Sequence, residues 1–109
     1  MADLTIWLTA LEPGATPWHL YVVRCHDGSL YTGTSTDVAR RVEQHNVGSQ
    51  GAKYTRSRRP VVLAASWGPF GRSAAHRLEH AFKLQSRAEK MGAIHLDLEG
   101  LMAILALPK

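Results

Sequence analysis

Two short apolar segments separated by a turn fix the start of this fold. Leu20 to Val23 is an uninterrupted apolar run, and Tyr31 follows Tyr21 by ten positions across an Asp27-Gly28 turn signal. Strands this close in sequence pair antiparallel as a hairpin. A first strand over 18–24 puts Trp18, Leu20 and Val22 on one face and His19, Tyr21 and Val23 on the other. The second strand spans about 29–33, with Gly33 ending it where a missing side chain permits a sharp bend or close backbone approach. Loop length decides whether the tyrosines meet. A two-residue turn pairs Arg24 with Tyr31 and sets the rings on opposite faces. A three-residue loop, with Gly28 in the left-handed region, pairs Val23 with Tyr31 and sets them on the same face.

A helix follows, capped by Thr36 or Asp37. At about 100° per residue, Val38, Arg41, Val42 and His45 share one side, while Arg40 points away. The valines face the sheet, and Arg41 and His45 fall at the edge of the buried face, beside the tyrosine-bearing strands.

Here the residues resemble the GIY-YIG nuclease family. Its first triplet matches His19-Leu20-Tyr21, keeping the tyrosine, and its second matches Tyr31-Thr32-Gly33, keeping tyrosine and glycine. The run that follows in the family, Thr-x-Asp-x-x-x-Arg-x-x-x-His, is close to Ser35 through His45. The overall look is that of small stand-alone bacterial members, over about residues 18–90. The resemblance implies an α/β fold: a small three-stranded, mainly antiparallel sheet flanked by helices. It also favours the three-residue loop, since the family mechanism needs both rings at one site. One departure is Thr34, where some relatives carry a lysine after the second triplet; Lys53 is the candidate replacement.

The rest of the chain reads as support. In residues 1–17, Leu4, Trp7, Leu8 and Leu11 follow helical spacing before Glu12-Pro13-Gly14 ends the pattern. Residues 47–60 read as a loop with glycines, four cations (Lys53, Arg56, Arg58, Arg59) and Tyr54. Its cations can neutralise phosphates, and Tyr54 can stack on a base or pack under the loop. Val61 to Trp67 reads as a third strand, central or buried on both faces and broken by Gly68-Pro69 and Gly71. Ser73 can cap a helix running to about Leu84, with an apolar stripe of Ala74, Ala75, Leu78, Ala81 and Phe82. Glu79 lies at the edge of that stripe, and His76 and His80 point outward and are read as structural. Ser86-Arg87-Ala88-Glu89 is a capping box starting a short helix that Met91-Gly92 ends. Asp97 can cap a last apolar helix, Leu98 to Leu107. The expected organisation is an extension over 1–17, a domain over 18–90 and a packed apolar segment over 91–109.

The 109 residues suffice for one small core. The single cysteine, Cys25, fits a reducing compartment, and no apolar run reaches membrane-spanning length, so a cytoplasmic protein is expected. The net charge of +4 is uneven. Residues 37–90 hold eleven Lys/Arg against four Asp/Glu, and the rest holds two against five. The basic excess thus coincides with the segment that resembles a nuclease, as a phosphate-bearing partner requires.

The resemblance implies a DNA endonuclease, with RNA not excluded, structure-selective and serving repair or recombination, as a monomer or homodimer. It assigns Tyr21 and Tyr31 to placing and deprotonating the attacking water, Arg41 to the scissile phosphate, and His45 to supporting a tyrosine or contacting the phosphate. Glu79 would hold one Mg²⁺ or Mn²⁺. One carboxylate plus waters suits a hard cation on a phosphate substrate, and the guanidinium fork suits phosphate oxygens. A phenol of pKa about 10 becomes a useful base only in a cationic site. Two other readings remain: a nucleic-acid-binding module without catalysis, and an interaction protein that dimerises through its apolar ends.

Overall fold

A computed structural model describes residues 15–105. The helix expected near the N-terminus lies outside them; residues 15–17 are exposed and lead into the first strand. The hairpin comprises β1 (Trp18–Arg24) and β2 (Leu30–Ser35). Its loop has three residues: the Cys25 amide donates to Ser29 O at 2.8 Å, and Gly28 sits at φ +85°. Asp27 Oδ1 accepts from both the amide and the hydroxyl of Ser29, at 3.0 and 2.6 Å, and so pins the turn. Val23 therefore faces Tyr31, and Tyr21 faces Gly33.

Helix α1 (Val38–Asn46) starts at Asp37, whose side chain accepts from the Arg40 amide. A one-turn helix, α2 (Lys53–Arg56), interrupts the segment expected to be all loop. Strand β3 (Val62–Phe70) follows, then α3 (Arg72–Lys83), α4 (Arg87–Ala93) and α5 (Leu98–Leu105). The Ser86 capping box forms as expected, but α4 runs through Met91-Gly92. Gly71, without a side-chain bond, caps α3 in place of Ser73.

The sheet order is β2-β1-β3, antiparallel throughout. This corrects two expectations. β3 is an edge strand, with Val62 and Leu63 exposed, and it continues through Gly68-Pro69 rather than breaking there. Its long apolar run reflects an irregular pairing, shifted in register between Trp18 and Leu20 and between Val22 and Val23, not burial on both faces. Gly33 does not end β2 but lies inside it.

β1 is the middle strand, and its alternation feeds two layers. Leu20 and Val22 join Phe70, Leu78, Phe82, Leu101 and Met102 under α3 and α5. Tyr21 and Val23 join Cys25 and Val61 beneath Val38 and Val42 of α1. Asn46 ties the end of α1 to β3, giving and taking a hydrogen bond with the Val61 backbone at 2.9 and 2.7 Å. Among the described residues no helix is long and apolar enough to cross a membrane.

Candidate active site

The layer under α1 is built around buried polar groups. Tyr21, His45 and Thr55 are all within 1 % of full burial. His45 thus sits deeper than the expected edge position, because α2 folds over the side of α1 that would otherwise meet solvent. Burying such groups is unfavourable unless they satisfy one another. Tyr21 Oη lies 2.7 Å from His45 Nε2, and His45 Nδ1 lies 2.8 Å from Thr55 Oγ1. The Thr55 hydroxyl is 2.9 Å from the Ala52 carbonyl oxygen, to which it donates. It therefore accepts from Nδ1–H, leaving the Nε2 lone pair for the Tyr21 proton. The Ala52 N–H also points at Nδ1, from 3.4 Å; this long contact favours the other tautomer and is outweighed by the 2.8 Å bond to Thr55. Thr55 was invisible in the sequence as a site residue. Nothing in a Lys-Tyr-Thr-Arg string announces a buried hydroxyl aimed back at a helix ten residues upstream.

The electrostatics follow from this burial. Burial pushes the Tyr21 phenol up to about 12, overcoming the opposing pull of the neighbouring Arg41 guanidinium. The charges of Tyr31 and Glu79 add to the rise. Burial, with Arg41 and Arg59 adding to it, depresses His45 to about 4, so the imidazole is neutral at physiological pH. A resting Tyr21 phenolate is thus disfavoured, and Tyr21 instead has a neutral proton acceptor built beside it.

Gly33 belongs to this arrangement through close approach. A Cβ at that position would stand 2.7 Å from Tyr21 Oη and 2.8 Å from Cζ. The bare backbone lets the phenol lie across β2.

Tyr31 meets the same histidine edge-on, with ring centroids 5.2 Å apart, and stacks on Tyr54 at 6.0 Å. Arg58 covers the Tyr54 ring at 3.8 Å. Tyr54 is thereby packed into the loop, though its side chain is partly exposed. The cations of 47–60 divide into two groups. Arg58 pairs with Asp27 at 3.0 Å and donates to Tyr54 O at 2.9 Å. Arg59 donates to His45 O and Gly48 O, both at 2.7 Å. These two guanidiniums stitch the loop to α1 and to the hairpin. Arg56 makes only a 3.5 Å contact with Ser49 O and is exposed, as is Lys53.

Arg41, half-buried, donates from one nitrogen to Gln44 Oε1 at 2.9 Å and Gln50 O at 2.8 Å. These two bonds hold the guanidinium near enough to the Tyr21 hydroxyl to pull its pKa down. Glu79 is half-buried on α3, and its carboxylate pairs with Lys83 at 2.9 Å. α3 covers the other layer, but the Glu79 partner Lys83 lines a cleft with Tyr31 at the edge of β2, and the Glu79 charge is the smallest of the influences on the Tyr21 phenol. Among the described residues no three His, Cys, Asp or Glu side chains cluster as a metal cage. The donor set offered beside the tyrosines is one carboxylate, which suits a hard cation that takes most of its ligands from water and phosphate oxygens. His76 and His80 are exposed on α3, away from this layer.

A hairpin bearing two tyrosines on one face, followed by a helix bearing arginine and histidine, is the architecture of a nuclease domain. The family model described as the GIY-YIG catalytic domain matches residues 17–92, and the chain belongs to that family. Among curated relatives it is 44 % identical over 93 residues to a UPF0213 protein of Desulfotalea psychrophila, covering 85 % of this chain and 84 % of the relative. A UPF0213 protein of Halobacterium salinarum is 51 % identical over 72 residues, 66 % of this chain and 92 % of that one. The solution structure of a UPF0213 protein from Bacillus halodurans shares 38 % identity, covering 84 % of this chain and 87 % of that one, with a TM-score of 0.44.

Proposed function

We propose that this protein is a divalent-metal-dependent endonuclease that hydrolyses DNA phosphodiester bonds in the cytoplasm, selecting substrate structure rather than sequence and serving repair or recombination. The observation that carries the reading is the buried 2.7 Å contact between Tyr21 Oη and His45 Nε2, set beside Arg41. A tyrosine whose proton is directed at a neutral imidazole keeps its oxygen lone pairs turned outward to accept a hydrogen bond from the attacking water. The phenol then never needs to exist as a free phenolate, which its raised pKa would forbid at neutral pH.

In this mechanism Tyr31, half-exposed, orients the attacking water. Tyr21 donates its own proton in a hydrogen bond to His45 Nε2, which leaves the phenol oxygen lone pairs to accept from the attacking water and to steer its loss of a proton. Thr55 keeps the imidazole in the accepting tautomer. The free nitrogens of Arg41 grip the scissile phosphate. Glu79 is the residue that would hold the cation, and Mg²⁺ or Mn²⁺ there would supply charge neutralisation for the phosphate and the leaving oxygen. Lys83 balances the Glu79 charge until then. Lys53 and Arg56 remain the phosphate contacts from the α2 loop. Arg58 and Arg59 act in fixing its shape.

The test is cleavage of plasmid and branched DNA with Mg²⁺ or Mn²⁺, comparing the wild type with Glu79→Gln, Tyr21→Phe and Arg41→Ala. Each variant should lose on the order of 100-fold or more in rate. The Glu79→Gln variant should melt close to the wild type, because a surface i,i+4 pair of this kind is worth only about 0.5 kcal/mol and the amide keeps the shape of the half-buried carboxylate. Cutting that survives Glu79→Gln would rule out the assignment. Binding without cutting by the wild type would make the protein a nucleic-acid-binding module instead.

A further inference from the structure

Arg58 of the α2 loop is spent on Asp27 and Tyr54, and Arg59 on two backbone carbonyls, so the path of a bound strand is sought elsewhere. Along the outer edge of β2 two clefts adjoin. One, of about 230 Å³, is lined by Tyr31, Thr32, Tyr54, Lys83 and Lys90, with Leu30 at its floor. The other, of about 160 Å³, is lined by Ser29, Leu30, Arg87 and Lys90. They share Leu30 and Lys90 and so form one groove, running from the hairpin loop to the exposed side of Tyr31.

The charge of this groove has one sign. Arg87, Lys90 and Lys83 line it, and no carboxylate does. Lys90 has no ion-pair partner among the described residues, and Arg87 spends one nitrogen on Gly28 O at 3.0 Å, which holds the fork in place. Lys83 reaches Glu79 at the inner end, joining the groove to the candidate site. Cations along one wall and tyrosines at one end suit a phosphodiester backbone better than an acidic peptide, because only a nucleic acid continues into a phosphate site.

We propose that the β2-edge groove, through Arg87 and Lys90, binds the DNA phosphates that flank the scissile one. The proposal rests on the nuclease reading for its inner end, but its test does not require cutting. Binding of a fluorescein-labelled DNA oligonucleotide is measured by anisotropy in EDTA across a salt series. The double variant R87Q/K90Q is compared with the wild type and with R77Q, which removes a cation lining a different cleft, with Ser73, His76 and His80.

The double variant should lower the slope of log K against log salt by about 1.4 to 1.8, the loss of two phosphate contacts at roughly 0.7 to 0.9 each. R77Q should leave the slope unchanged, and all three proteins should remain fully folded at the assay temperature by circular dichroism. A double variant whose slope equals that of the wild type overturns the groove, as does a wild type that fails to bind or an equal loss in R77Q. A wild type that binds with the expected slopes yet never cuts with Mg²⁺ or Mn²⁺ leaves the groove standing and removes the nuclease reading alone.

Discussion

His45 Nδ1 and Thr55 Oγ1 stand 2.8 Å apart, both fully buried, and that contact sets which ring nitrogen faces Tyr21. Thr55→Val preserves shape but removes the acceptor. The Nδ1–H is then buried without a partner, costing about 1–3 kcal/mol, and the tautomer bias is lost. The ¹⁵N shifts of His45 should move toward a mixed tautomer, and cleavage should fall with KM little changed. Thr55→Ser should restore both. Normal ¹⁵N shifts in Thr55→Val would remove Thr55 from the mechanism.

Stability should depend on pH through two groups, with opposite signs. His45 is depressed to about 4 in the fold, against about 6.5 unfolded. Its contribution is complete above about pH 6.5 and is lost as pH falls toward 4, because only the unfolded chain takes up the proton. Tyr21 is raised to about 12, against about 10 unfolded. Its contribution is complete below about pH 10 and is lost as pH climbs toward 12. Urea titrations across pH should show both declines, with His45→Gln flattening the acid limb and Tyr21→Phe the alkaline one.

The Gly33 and Tyr21 positions should be coupled. A Cβ 2.7 Å from Oη forces the phenol or the strand to shift, which should cost about 1–3 kcal/mol, and Gly33→Ala should lose activity with it. Combining Gly33→Ala with Tyr21→Phe removes the nearest clashing atom. The double variant should therefore be less destabilised than the sum of the singles, by denaturant melts. Simple additivity would mean that the ring already has room to move.

Arg59 and Lys53 should separate cleanly. Arg59 holds His45 O and Gly48 O, so Arg59→Ala should cost stability, about 1–3 kcal/mol, and leave the salt slope of DNA binding unchanged. Lys53→Ala should do the reverse, keeping the melting temperature and lowering the slope by about 0.7 to 0.9.

The hairpin, its three-residue loop, the Asp37 cap and the facing of both tyrosines were legible because each follows from local rules: period-two alternation, turn chemistry and capping. The edge position of β3 was not. Val61 to Trp67 has the composition of a buried strand, and only strand order reveals that Val62 and Leu63 face outward. The structural bonds of Arg58 and Arg59 were hidden for a related reason. A cation that holds a carbonyl and one that awaits a phosphate look alike in sequence, and tertiary contacts alone divide them. Glu79 was picked out by resemblance; its half-buried place and its Lys83 partner emerge only from the folded helix.

β1 serves both layers at once, with alternate residues committed to opposite sides of the sheet. Neither side can come apart while that strand keeps its place. Heating should therefore melt both layers together at a single temperature, with no partly folded species in between.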